Sequence, residues 1–346
     1  MNFLLVLFLL LSFAGTKIQD KSKTSKDYLN KENTDMIKGL FVLLIFFSHF
    51  GQNIDLKSDI NYFLGILREN QRQLIVAPFF FYMGYGLSEK GKDNELYLKK
   101  IIIKIINLFL QFDLAVLLYV VANFILGNKI TIEKILLSLI GIKAVENSNW
   151  FFVTTICLYI IYYLTYKLIK SENFKIIIIT LASVTLIYLM ILLKKPEYWY
   201  NTIMAYPFGF VISRTKKTLD GMPFYKNEYY FFILLILFIM FYYSYTRKGI
   251  ICYELNVVAF CAIIMILSMR IQIGNSFLSL LKEHSFSIYI LQKLPMYVLK
   301  HLFDAQNHIY IYFFCCFFST IIMSIIYDKL WFHTSRKWKS IINTKL

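Results

Sequence analysis

The sequence predicts an all-α integral membrane protein, a polytopic bundle of about ten transmembrane helices, and three observations carry that class. Of its 346 residues 58% are hydrophobic and only 17% charged, with a mean hydropathy of +0.58, far too apolar for a water-soluble chain of this length. Several runs reach the roughly 20 mainly apolar residues that a helix needs to cross the hydrocarbon layer, Ile101–Leu126 and Asn149–Leu168 among them. Period-two alternation is absent, which argues against a barrel.

Taken in order, the chain opens with a short apolar stretch, Met1 to Gly15, followed by a lysine-rich polar segment from Thr16 to Asn33. Ser12-Phe13-Ala14 would serve as a small-residue cleavage site, yet no basic region precedes the apolar part. A signal sequence, an interfacial anchor and an upstream start codon all stay open for it. Ten spans follow: Met36–Ile54, Leu74–Ser88, Ile101–Leu126, Asn149–Leu168, Lys175–Leu193, Tyr198–Ile212, Glu228–Tyr245, Ile250–Met269, Ser285–His301 and Ile309–Tyr327. Leu74–Ser88 and Tyr198–Ile212 are short and hold Pro78 and Pro207. Interrupted spans of that kind are tolerated where they face protein or a watery cavity. The organisation expected is an N-terminal apolar stretch with a basic tail (1–35), one membrane domain (36–327) and a basic C-terminal tail (328–346).

Placing loops on alternate sides puts 25 of the 37 Lys and Arg on one face, which the positive-inside rule makes cytoplasmic. That count includes Lys21, Lys23, Lys26, Lys92 and Lys345, and it places the N-terminal tail and the C-terminus in the cytoplasm of a multi-pass cell-membrane protein. The net charge of +16 is accounted for by the same bias and by anionic headgroups, with no nucleic acid needed. The five cysteines lie in or beside apolar runs without metal-like spacing near a histidine, and His284, His301, His308 and His333 share no zinc-like spacing. No metal site is expected.

The chemistry centres on Asp35 to Gln52, an apolar segment with Lys38 near one end, His49 well inside the other and no acid between them. An ionisable ring at membrane depth costs free energy unless a partner or a function compensates. Eleven residues at 100° each return Lys38 and His49 to within about 20° of one face, separated by about 16 Å along the axis. Ser48 points about 100° away from His49, so a serine–histidine pair on this helix is poor geometry. Neutral imidazole can act as a general base toward a hydroxyl at neutral pH. Asp113, inside the third span, needs a lysine or tyrosine partner.

These residues resemble a known family. Lys38…His49 matches the Arg/Lys, ten residues, His motif in the first helix of the membrane-bound acyltransferase-3 family, and Asp35-Met36-Ile37-Lys38-Gly39 resembles that family's opening. Pro78 to Leu87 is similar to its phenylalanine-rich second helix, with Met83 where serine is usual. Leu98 to Lys104 resembles the basic start of the third helix and Trp150-Phe151 the start of the fourth. Ser285 to Gln292 resembles the late Ser-Leu-x-Ile-Tyr-Leu-x-His segment, with Gln292 in place of the histidine. The resemblance covers about nine tenths of the chain.

The resemblance implies an O-acyltransferase that takes acetyl from acetyl-CoA, an acyl-CoA donor substrate rather than a bound cofactor, and delivers it to a hydroxyl of a surface or exported glycan, possibly lipid-linked. His49 is then the general base or an acyl carrier. Lys38 holds donor phosphate or biases the histidine toward its neutral form. Lys100 and Lys104, one turn apart, are further candidates for acyl-CoA binding beside the plainer reading as positive-inside anchors. Trp150 is an interfacial belt residue or lines a channel for the acyl-CoA donor or for the acceptor. Tyr85, Tyr206 and Tyr289 could donate to a sugar but are as readily packing residues. The alternative is a transporter or flippase of a lipid-linked oligosaccharide that uses the broken spans as its path.

Overall fold

The computed structural model describes residues 1–19, 27–54, 65, 73–91, 95–302, 304–305 and 307–343. Lys21, Lys23, Lys26, Lys92 and Lys345, used in the orientation count, lie outside them. In chain order the elements are α1 (Asn2–Phe13), β1 (Lys17–Ile18), α2 (Lys31–Gly51), a 3₁₀ turn (Leu74–Val76), α3 (Ala77–Gly91), α4 (Glu95–Ile125), α5 (Ile132–Leu139), α6 (Trp150–Leu168) and α7 (Glu172–Leu192). They continue through a second 3₁₀ turn (Glu197–Trp199) to α8 (Ala205–Gly221), α9 (Asn227–Tyr245), α10 (Ile250–Ser268), β2 (Ile271–Gln272), α11 (Ser276–Glu283), α12 (Ser285–Leu291), α13 (Lys293–Leu302) and α14 (Ile309–Asn343). The fold is all-α.

Seven helices among the described residues, α2, α4, α6, α7, α9, α10 and α14, are long and apolar enough to cross a membrane. The three other expected spans do not reach that length unbroken, so this criterion does not give ten. Proline accounts for it. Pro78 and Pro207 sit in the first turns of α3 and α8, where a missing N–H costs little, and turn or 3₁₀ backbone precedes them. The ninth span divides between α12 and α13 at Gln292. There Pro295 has no N–H to give the carbonyl of Leu291, and its ring crowds that carbonyl.

Helix α2 lies at the centre. Asn30 starts it by accepting the Asn33 N–H at 2.8 Å, and Glu32 sits in the first turn, where the helix dipole favours a negative charge. Both faces of α2 are packed: Val42, Phe46, Phe47 and Phe50 are almost fully buried. Opposite in character is α9, whose Phe231, Phe232, Leu235, Phe238 and Ile239 are all exposed, as a lipid-facing helix requires. Two short amphipathic helices, α5 and α11, were not expected from the sequence. Each opens on a side-chain cap, Thr131 at the Lys134 N–H (3.2 Å) and Asn275 at the Leu278 N–H (2.9 Å).

The apolar N-terminal stretch is packed against the bundle. Phe8 meets Phe47, Phe313 and Phe317 edge-on at 5.7, 5.7 and 5.0 Å. Asn275 Nδ2 donates to the carbonyls of Leu11 and Ala14 at 2.8 and 2.9 Å, closing the end of α1. A two-residue antiparallel ladder, Lys17 opposite Gln272 and Ile18 opposite Ile271, follows. At the other terminus the expected tail from 328 is helical as far as Asn343 and continuous with the last span.

The helices that frame the site are held by close backbone approach. A Cβ on Gly84 of α3 would come within 2.1 Å of the Tyr206 carbonyl, and one on Gly209 of α8 within 2.3 Å of the Phe81 carbonyl. Without a hydrophobic driving force in lipid, small residues of this kind let van der Waals contact hold helices together.

Candidate functional site

Two polar cavities lie along α2. The larger, of about 500 Å³, is walled by α2, α3, α4 and α6 and lined by Lys31, Lys38, Lys90 and Lys104 with Asp35 and Glu89. Four lysines against two acids leave a net positive lining, suited to an anionic ligand. Lys38 Nζ lies 2.6 Å from Asp35 Oδ1, one turn earlier on the helix. Lys104 reaches over the Tyr159 ring, 4.8 Å from its centroid. Ser213 donates to Glu89 at 2.5 Å. Lys90, at the end of α3, has its ammonium pKa pushed below the usual lysine value, first by loss of solvent and then by Lys104, Lys31 and Lys38.

The smaller cavity, of about 230 Å³, surrounds His49 and is lined also by Ser48, Gln52, Gln73, Asn147, Asn149, Trp150, Tyr289 and Lys293. His49 lies in the last turn of α2. Its ring centroid is 6.3 Å from that of Tyr289. The loop before α6 presents a polar wall: Asn149 Nδ2 holds the carbonyls of Gly141 and Lys143 at 2.6 and 3.1 Å, and Asn147 Oδ1 accepts the Val145 N–H at 2.9 Å. Glu146 takes a left-handed φ of 70°, which turns the chain sharply there. Three buried polar atoms on this cavity have no hydrogen-bond partner among the described residues: Gln73 Oε1, Asn147 Nδ2 and the Tyr289 hydroxyl. Unsatisfied donors and acceptors around one void can pair there with water or with a polar ligand.

The structure therefore brings Lys38 and Lys104 to one cavity, and His49 and Trp150 to the other. Lys100, although one turn from Lys104, is exposed and lines neither. Asp113 lines neither cavity; its Oδ1 has no hydrogen-bond partner among the described residues, and a tyrosine, Tyr327, lies within range of its charge. Gln292 is fully buried at the α12–α13 break, donating to the Tyr289 carbonyl at 3.1 Å. Gln73, Asn147 and Lys293 were missed. Asp35 was quoted for the motif without being paired, although its spacing from Lys38 is a readable helical contact.

Fold and site together define a multi-pass membrane protein with a cationic cavity at one end of a central helix and a histidine cavity at the other. Residues 31–328 match the family described as an acyltransferase domain. The chain belongs to this acyltransferase-3 family and is a membrane acyltransferase. No curated protein and no solved structure gives a match. The family is one of group transfer, and nothing in it supports the transporter alternative.

Proposed function

We propose that the protein transfers acetyl from acetyl-CoA, taken up at the Lys38 cavity from the cytoplasm, to a hydroxyl of a surface or exported glycan seated at the His49 cavity. The observation that carries this reading is the pairing of the two cavities on α2: cations at one end for the donor's phosphates, a histidine ringed by unsatisfied donors and acceptors at the other for a neutral, hydroxyl-rich acceptor.

In this reading His49 takes the acceptor's hydroxyl proton as its oxygen attacks the thioester carbonyl. A C–O ester bond forms, the C–S bond breaks, and the imidazolium returns the proton to the departing thiolate. The Tyr289 hydroxyl and the Lys293 ammonium, both on the cavity, are the donors available to the oxyanion that precedes C–S cleavage. Lys38 and Lys104 hold the donor.

Labelled acetyl-CoA offered to the purified protein with a glycan acceptor tests this. Ester-linked label and free thiol should appear together, and His49→Ala should lower the rate about 10²- to 10⁴-fold, the usual loss on removing a general base. Release of neither product by the wild type, or unchanged transfer by His49→Ala, contradicts the reading.

A further inference from the structure

The two cavities share no lining residue, yet one aromatic side chain touches the inner boundary of each. On α3 the larger cavity is lined from Lys90 to Phe79, eleven residues or about 16 Å along the axis, so it penetrates deeply and ends at Phe79. The ring of Phe151, in the first turn of α6, lies 6.1 Å from Phe79 and 4.9 Å from Phe80. On its other side it lies 5.8 Å from Trp150 and 4.9 Å from Tyr289, both lining the His49 cavity. Phe151 itself lines neither. It is in ring contact with wall residues of both.

We propose that Phe151 is an acyl-size gate: the group passed from the deep cationic cavity to His49 must clear this ring, which admits a short acyl group and turns back longer ones. This rests on the acyl-CoA reading above. The bonds exchanged are those already written, thioester C–S for ester C–O with the hydroxyl proton ending on the thiol; the gate decides only which acyl groups arrive. The geometry favours size over polarity as the criterion, because the ring is clamped by Phe79, Phe80, Trp150 and Tyr289 edges and faces. Each methylene that an apolar wall admits or refuses is worth about 10- to 200-fold in discrimination.

The test is the acyl-length profile of the purified protein with acetyl-, propionyl-, butyryl- and hexanoyl-CoA. In Phe151→Ala the ratio of butyryl to acetyl transfer should rise at least about tenfold, through kcat for the longer donors, while binding of CoA itself, held by lysines at the far end of the cavity, stays at the wild-type level. Phe151→Leu should move the same way by less, and Phe151→Trp should narrow the profile; these two carry the test if the alanine variant does not fold. A profile unchanged in all folded variants while the wild type transfers acetyl overturns the gate alone. A wild type that consumes no acyl-CoA of any length overturns the functional reading, and the gate with it.

Discussion

Lys104 and Lys100 differ by one helical turn, and only Lys104 faces the cavity. Lys104→Gln should raise the donor KM roughly tenfold, the cost of one charge-assisted contact, whereas Lys100→Gln should stay within about twofold, as exposed substitutions do. Steady-state kinetics on the two variants checks both. Sequence spacing alone could not separate them, because helical periodicity places both on one stripe without saying where the neighbouring helices end. Lys90 offers a pH signature. Its charged form is disfavoured in the fold, so it loses its proton at lower pH than a free lysine. Between that lowered value and the ordinary lysine pKa near 10.4 the folded state holds fewer protons than the unfolded one. The burden of the charge on stability is therefore present at neutral pH and fades as pH rises, and attraction for an anionic donor fades over the same interval. Donor KM measured from neutral to alkaline pH should climb in the wild type before an ordinary lysine would titrate. In Lys90→Gln that climb should be smaller and KM already raised at neutral pH; an identical pH profile in both would remove Lys90 from donor binding.

Elements were the most legible level where apolar runs were long and least legible where polar contacts ended them. Seven of the expected spans correspond, among the described residues, to helices long and apolar enough to cross a membrane, since length and hydropathy dictate it in lipid. What the runs could not show is how far proline shortens α3 and α8 or that Pro295 divides the ninth span. Nor could they reveal α11, whose start depends on Asn275 bonding Leu278 and the end of α1 at once, across more than 260 residues of sequence. The α3–α8 contact gives the stability prediction at this scale. Gly84→Ala and Gly209→Ala each press a methyl against backbone closer than 3.0 Å, where nothing yields easily, and should lower stability by about 1–3 kcal/mol. Gly86→Ala, on the same helix with open space at its Cβ, should not. Thermal melting in detergent of the three variants distinguishes tight backbone packing from a general intolerance of α3 to substitution.

For the molecule as a whole, the membrane class followed from composition and the family from motifs in order, but the two-cavity plan did not. Lys38 and His49 were visible on one stripe, whereas the ring contacts that link the walls of their cavities involve Phe79, Phe151 and Tyr289 from three different helices, and no local pattern marks them. In the same way Gln73 and Asn147 are ordinary loop residues, and Lys293 one lysine inside the ninth expected span, until the fold converges them on His49. On the proposed function this plan is a conduit with a donor end and an acceptor end. Sealed vesicles of known sidedness, with labelled acetyl-CoA confined to the lysine-rich face and a glycan acceptor to the other, measure that most directly. The account predicts ester label on the acceptor with the wild-type protein, and its loss in His49→Ala while CoA binding persists. Transfer by His49→Ala at the wild-type rate, or transfer only when the donor is supplied at the His49 face, would contradict it.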